Sequence, residues 1–258
     1  MIRSLVVVCI AILFVPGISW CQRALLTEGA DLVGEGRIRL ELGFGYTTQT
    51  YNFRTETFRD QFKIGVIGID IGVGRIADIE VDFPSTIIQD DNLKGVAADV
   101  GDATFFTKVR FLSETEYTPA VAIKLGTKLP NAEDEVGIGT NETDFIGSFP
   151  ISKNFGPIHT RLELGIGILG DPRRNSAQDD VFLFGLGFLF RLRSNLHLLT
   201  EINGHEGPQR LDDLCVVRLG AQMELAGLRW DLSGVLGLVD ESEDWGVEGG
   251  VSLDFEAF

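Results

Sequence analysis

Apolar and polar side chains alternate one for one along most of this chain. From Gly36 to Tyr46, the residues Ile38, Leu40, Leu42, Phe44 and Tyr46 share one parity, while Arg37, Arg39, Glu41, Gly43 and Gly45 share the other. Successive side chains of a β-strand point to opposite faces, so this period predicts a strand with one apolar face. Asp102 to Leu112 repeats it, with Ala103, Phe105, Thr107, Val109 and Phe111 set against Thr104, Phe106, Lys108 and Arg110. Pro157 to Ile168 and Leu228 to Leu238 follow the same scheme. In Cys215 to Leu225, Cys215, Val217, Leu219, Ala221 and Met223 take the apolar parity, and Arg218, Gln222 and Glu224 the polar one. The ninth segment gives Glu201 the polar parity, because Leu198 and Ile202 hold the other.

Twelve strands are predicted in all, over 36–47, 60–73, 78–88, 101–112, 118–129, 142–152, 157–169, 180–191, 195–204, 213–225, 228–239 and 245–257. Their connections alternate in character. Gly74 to Ala77, Lys153 to Gly156, Leu192 to Ser194 and Ala226-Gly227 are short. Thr48 to Arg59, Gln89 to Val100, Pro130 to Asn141 and Gly170 to Asp179 are longer and more acidic. An even number of strands with short turns on one side and long loops on the other is the plan of an antiparallel, up-and-down, transmembrane β-barrel. Both ends of such a barrel lie on the short-turn, periplasmic side.

Alternation alone would also suit a soluble β-sandwich. Three features favour the membrane. Large aromatics stand near strand ends on the apolar parity: Phe44, Tyr46, Phe62, Phe105 and Trp245 at the loop end, and Phe111, Tyr117, Trp230 and Phe255 at the turn end. That distribution matches two interfacial girdles. The chain begins with Arg3, an apolar run from Leu5 to Val15, and a cleavage pattern ending at Cys21, the layout of a secretory signal peptide over residues 1–21. Trp20 before Cys21 argues against a lipoprotein anchor. The chain also ends in Phe258, as barrels handled by the outer-membrane assembly machinery commonly do, although Phe258 falls on the polar parity of its strand. Residues 22–258 are thus expected to form one outer-membrane barrel in contact with lipid. Pro84, inside the third strand, removes a ladder donor and marks where that strand leaves the apolar band.

Composition adds exclusions. The formal net charge of −16 is unsuited to nucleic acid as a partner. Beyond the leader there is one cysteine, Cys215, so no disulfide framework exists. Mean hydropathy is slightly positive, at +0.14, yet the longest later apolar run, Val181 to Phe190, has the length of a tilted membrane strand and not of a membrane helix.

From Gly101-Asp102 onward the chain resembles an outer-membrane family labelled for the MetA pathway of phenol degradation, or simply "transporter". The residues that carry the resemblance are Gly101-Asp102, Lys128-Leu129-Pro130, Gly137-Ile138-Gly139-Thr140, Thr143-Asp144-Phe145 and Ser152-Lys153. It is strongest over 101–170 and looser over 36–258. It implies an outer-membrane barrel that takes up small compounds, aromatic ones included, and brings no functional residues with it.

No catalytic constellation is legible. His159 and His197 fall on polar faces, His205 lies beside Glu206, and no nucleophile motif surrounds any serine. No acidic loop has the Asp-x-Asp-x-Asp-Gly spacing of a calcium loop, and no cofactor is implied. The lumen is more informative. Asp82, Lys108, Arg110, Lys124, Lys128, Asp144, Arg161, Glu163, Arg218 and Glu224 are its candidate lining. If the turn pairs Lys108 with Lys124, two cations stand side by side. Like charges directly opposite are unfavourable, so an anion or Asp82, Asp144 or Glu163 is expected to offset them. Arg37 and Arg39 of the first strand are expected to face Asp254 and Glu256 of the last, closing the barrel. The expected function is a channel for small solutes, and the alternative is a plugged barrel with a structural or interaction role.

Overall fold

A computed structural model describes residues 25–52, 57–91, 95–132, 138–171, 178–208 and 213–257. The expected leader, residues 1–21, and Phe258 lie outside the described residues. Thirteen strands occur among those described, and no helix. They are β1 (Arg37–Asn52), β2 (Thr57–Val73), β3 (Ala77–Asp91), β4 (Gly95–Asp99), β5 (Ala103–Leu112), β6 (Ala120–Leu129) and β7 (Asp144–Phe155). Then follow β8 (Ile158–Gly170), β9 (Gln178–Arg193), β10 (Leu196–Glu206), β11 (Leu214–Leu225), β12 (Leu228–Gly237) and β13 (Trp245–Glu256).

Every ladder is antiparallel, and pairing of β2 with β3 closes the sheet into a twelve-strand barrel to which β4 is an addition. β1 pairs with β13 in the register Arg37↔Glu256, Arg39↔Asp254, so both ends of the barrel wall meet at the short-turn rim. Closure leaves no open edge, which hydrocarbon could not hydrate. Ala226 and Gly227 form a two-residue turn with both φ angles positive (56° and 75°), the twist that best matches the flanking strands.

Two stretches expected to be loops are largely strand. β1 and β2 remain paired to Asn52↔Thr57, past a bulge between Thr47 and Thr50. Tyr51 packs against Phe58 in a tilted pair, 5.2 Å between centroids, and Asp60 accepts hydrogen bonds from Tyr46 and from the Gln49 backbone. Polar composition masked this extension. In 89–100, β3 continues to Asp91 and β4 pairs back on it. Pro84 stands where the partner of β3 changes: up to Asp82 it pairs with β5, and from Ile87 with β4. The Pro84 carbonyl still accepts a bond from Gly101 N–H.

The distribution of exposure is inverted relative to a soluble protein. Leu42, Leu219 and Leu232 are more than half exposed, whereas Lys108, Arg161 and Glu201 are at most 2% exposed. An outer surface of this kind fits hydrocarbon and not water. Tyr46 packs edge-on against Phe62 and Trp245 at the loop end of that surface.

Candidate functional site: the lumen and its inner segment

Period-2 alternation delivers the polar parity of each strand to the interior, and the interior is filled largely by ion pairs. Twelve strands enclose more space than their own side chains fill. Residues 25–36, ahead of β1, fold back into that space as an irregular strip. Leu25, Thr27, Ala30 and Val33 are buried against the wall.

The strip is held in two complementary ways. Wall carboxylates accept its backbone N–H groups: Glu201 from Leu26 and Thr27 (3.0 and 2.8 Å), Glu163 from Glu28 (2.9 Å), and Asp78 from Val33 (2.9 Å). Wall cations hold its acidic side chains. Glu28 bonds Lys124 through Oε1 and lies 3.4 Å from Lys108 through Oε2. Asp31 sits 2.9 Å from His159 Nε2 and 3.8 Å from Arg161 Nε, with Ser152 Oγ at 3.5 Å. Small residues clear the path. A Cβ at Gly185 would stand 2.7 Å from Thr27 Oγ1, and one at Gly187 would lie 3.1 Å from Leu25 Cδ1. Leu25 packs with Leu189 and Leu199, and Ala30 with Ala120 and Ala122.

Lys108 and Lys124 stand directly opposite in the β5–β6 ladder. The carboxylates that bond them are not Asp82, Asp144 or Glu163, although the charge of Glu163 still acts on Lys124 from a distance. Glu80 bridges the two ammoniums at 2.7 Å each, and Glu28 bridges them from the other side. The physical reason is the β3–β5 register, which sets Asp78 opposite Lys108 and Glu80 one step along, within reach of both lysines. Asp82 lies nearer the loop end, opposite Thr104. Lys124 also rests 4.3 Å above the Phe106 ring.

The other candidates are placed as follows. Asp144 pairs with Lys128 at 2.6 Å, and Glu163 accepts from Ser148 at 2.7 Å. Arg218 bridges Glu201 (3.1 Å) and Glu248 (2.9 Å) and donates to Asn203. Arg110 is half-buried, and Glu224 is exposed at the turn end, 3.8 Å from Arg229. At the seam Arg39 bonds Asp254 at 2.8 Å, and Arg229 approaches the same carboxylate at 3.2 Å. Arg37 stands opposite Glu256 in register.

Glu28, Asp31, Asp78 and Glu80 were missed as site residues. Asp78 and Glu80 share the polar parity of Asp82 and could have been found by it. Glu28 and Asp31 belong to no periodic segment.

The strip does not fill the barrel. Between it and the wall of β1, β2, β3, β12 and β13 lies a cavity of about 260 Å³. Glu41, Asp70, Asp82, Asp231 and Glu248 border it, with Lys63 as the cation among them.

Residues of the motif strings noted above meet at the loop end. Asp102 accepts from the backbones of Asn131 and Ala132, and Lys128 donates to Thr140. Asp144 accepts from Gly170 N–H. They fasten β5, β6, β7 and β8 together rather than forming a lumen site.

No family model matches the sequence, and no curated protein does. Among solved structures the fold is similar to an outer membrane channel from Pseudomonas putida F1, with TM-score 0.66, 12% identity, 94% of this chain and 100% of that one covered. It is also similar to the NanC porin (TM-score 0.58, 8% identity, 83% of this chain and 98% of that one). A third is the β domain of the Bordetella autotransporter BrkA (TM-score 0.51, 14% identity, 86% of this chain and 100% of that one). At such identities the likeness is one of fold, and the fold is that of outer-membrane β-barrels.

Proposed function

We propose that this chain is an outer-membrane channel for small solutes, with its turn end toward the periplasm and its passage limited by its own residues 25–36. The observation that carries this reading is the partly filled lumen. A barrel serving only as a scaffold would gain by packing its interior, yet this one keeps a charged cavity beside a strip of backbone held mainly by side-chain contacts. The channel and porin among the similar folds agree with that reading, as does the motif resemblance to the uptake family. The absence of a nucleophile motif in the sequence supports a non-enzymatic role. The chain would reach the membrane through the leader at 1–21 and the outer-membrane assembly machinery.

Planar-bilayer recordings of the purified protein, and of a variant lacking residues 25–33, test it. Small steady openings are expected from the native chain and several-fold larger ones from the deletion. Two silent proteins that both show the heat-modifiable mobility of a folded barrel would favour the plugged, structural alternative.

A further inference from the structure

We infer that the Lys108–Lys124 pair is a carboxylate-binding site, now occupied by Glu28 of the chain itself, and that a monocarboxylate with an apolar body can take its place. The inference rests on the channel reading only in that solutes must reach the lumen.

The site is already built. Lys108 is fully buried and Lys124 nearly so. Their ammoniums are fixed side by side by the ladder and by Glu80, a carboxylate of the wall. Glu28 completes the group from the opposite side, and it belongs to a strip that carries no ladder bonds over 25–33. Withdrawing Glu28 removes one negative charge from two desolvated ammoniums. A buried ion group that loses a partner is strongly destabilised unless another anion arrives. Water alone is a poor substitute here, and a carboxylate has the same charge, the same two acceptor oxygens and the same bite as the one that leaves.

The surroundings select the rest of the ligand. Three residues before Glu28, Leu25 occupies an apolar slot formed by Leu189 and Leu199, with Gly187 leaving room for it. Three residues of extended chain span about 10 Å, which sets the length of the apolar body. Phe106 adds an aromatic face beneath Lys124. The cavity that opens beside the site is lined by Glu28 and Glu80 themselves and by Glu41, Asp82 and Asp231, whose carboxylates disfavour a second negative charge. The class is therefore a single carboxylate on a hydrocarbon body, and not a dicarboxylate or a phosphate.

The test is calorimetric titration of the full protein, in neutral detergent, with sodium octanoate, the dianion suberate and neutral octanol. Glu28→Ala frees the lysine pair while leaving the wall intact, so it is expected to bind octanoate about tenfold more tightly than the native chain. Suberate and octanol are expected to gain nothing. Equal octanoate binding by the two proteins, or an equal gain for octanol, overturns the site. A second measurement covers failure of that variant to fold. In a Leu25→Cys, Cys215→Ala protein, octanoate is expected to raise maleimide labelling of the buried Cys severalfold, and octanol to leave it unchanged. Labelling indifferent to octanoate also overturns it. Tight octanoate binding in a protein that is electrically silent would remove the channel reading and leave the site standing.

Discussion

The lumen wall formed by β5 to β10 and the wall formed by β1, β2, β12 and β13 come from strands of the same period, yet the inner segment covers the first and the cavity borders the second, with β3 reaching both. The covered wall presents Lys108, Lys124 and Arg161 to acidic side chains of the strip, and Ala120, Ala122, Gly185 and Gly187 to its backbone and small groups. The open wall presents mostly carboxylates, Glu41, Asp70, Asp231 and Glu248 among them. The covered surface thus has the relief and charge of a protein interface, whereas the open one has the charge of a hydrated passage. The difference teaches that lumen parity alone does not define a pore lining. What a lumen residue does depends on whether protein or water lies against it.

The strongest way to break this comparison is to neutralise, on β3, the buried carboxylate that bridges the covered lysines and then the half-buried Asp82 two residues along, beside the cavity. Glu80→Gln leaves Lys108 and Lys124 without their shared wall carboxylate. It is expected to lower the stability of the folded barrel by about 3–5 kcal/mol, the range for stripping one partner from a buried pair. Asp82→Asn, half-buried beside the cavity, is expected to cost about 1 kcal/mol, clearly less than the loss at Glu80. Urea unfolding followed by tryptophan fluorescence reads both, and equal losses would show that the two walls do not differ.

A bulky side chain in the path of the strip sharpens the contrast without touching charge. Gly185→Leu would drive a side chain into Thr27, whose Oγ1 already lies 2.7 Å from where a Cβ would stand. The strip is expected to leave the wall, with a several-fold rise in conductance and in protease cleavage near residues 25–33. The same change at Gly45, whose nearest neighbour would be the flexible Glu248 side chain at 3.5 Å, is expected to narrow the passage and lower conductance.

Most of the wall is legible in the sequence, and the strip is not. The seam could be read because Arg39 and Asp254 sit on the inward parity of strands whose count forces them together, and the register brings them within hydrogen-bond range. The strip 25–36 has no period of two, since its residues alternate with nothing and take their conformation from the wall they lie on. Two signals could have pointed to it. Lys108 opposite Lys124 demanded more anion than the neighbouring strand faces named, and β9 is apolar on both parities from Val181 to Phe190. A strand with lipid on one side and water on the other has no reason for the second apolar face. Leu189 has one, because Leu25 covers it.

The seam gives a smaller effect. Arg39 and Asp254 join the first and last barrel strands, and Arg229 shares the same carboxylate. A double-mutant cycle on Arg39→Met and Asp254→Asn is expected to give a coupling of about 0.5–3 kcal/mol. Unfolding midpoints of the four proteins measure it. Strict additivity would mean that the backbone ladder alone closes the barrel.

The smallest expected effect concerns which ions prefer the open wall. A narrow passage bordered by carboxylates concentrates cations and excludes anions, because the low-dielectric barrel focuses the field of fixed charges into the lumen. Asp70 is set against Arg39 and Glu248 against Arg218, but Glu41, Asp82 and Asp231 still outnumber Lys63 along this cavity, whereas the lysines and arginine of the covered wall face the carboxylates of the strip. Native openings in a potassium chloride gradient are therefore expected to reverse on the cation-selective side of zero. Asp82→Asn combined with Asp231→Asn removes two of those charges and should move the reversal potential toward zero by a few millivolts. The shift should shrink in concentrated salt, where the screening length falls to about 3 Å at 1 M. An anion-selective reversal in the native protein would mean that current follows the covered wall, past Lys108 and Lys124, and would invert the roles assigned to the two walls.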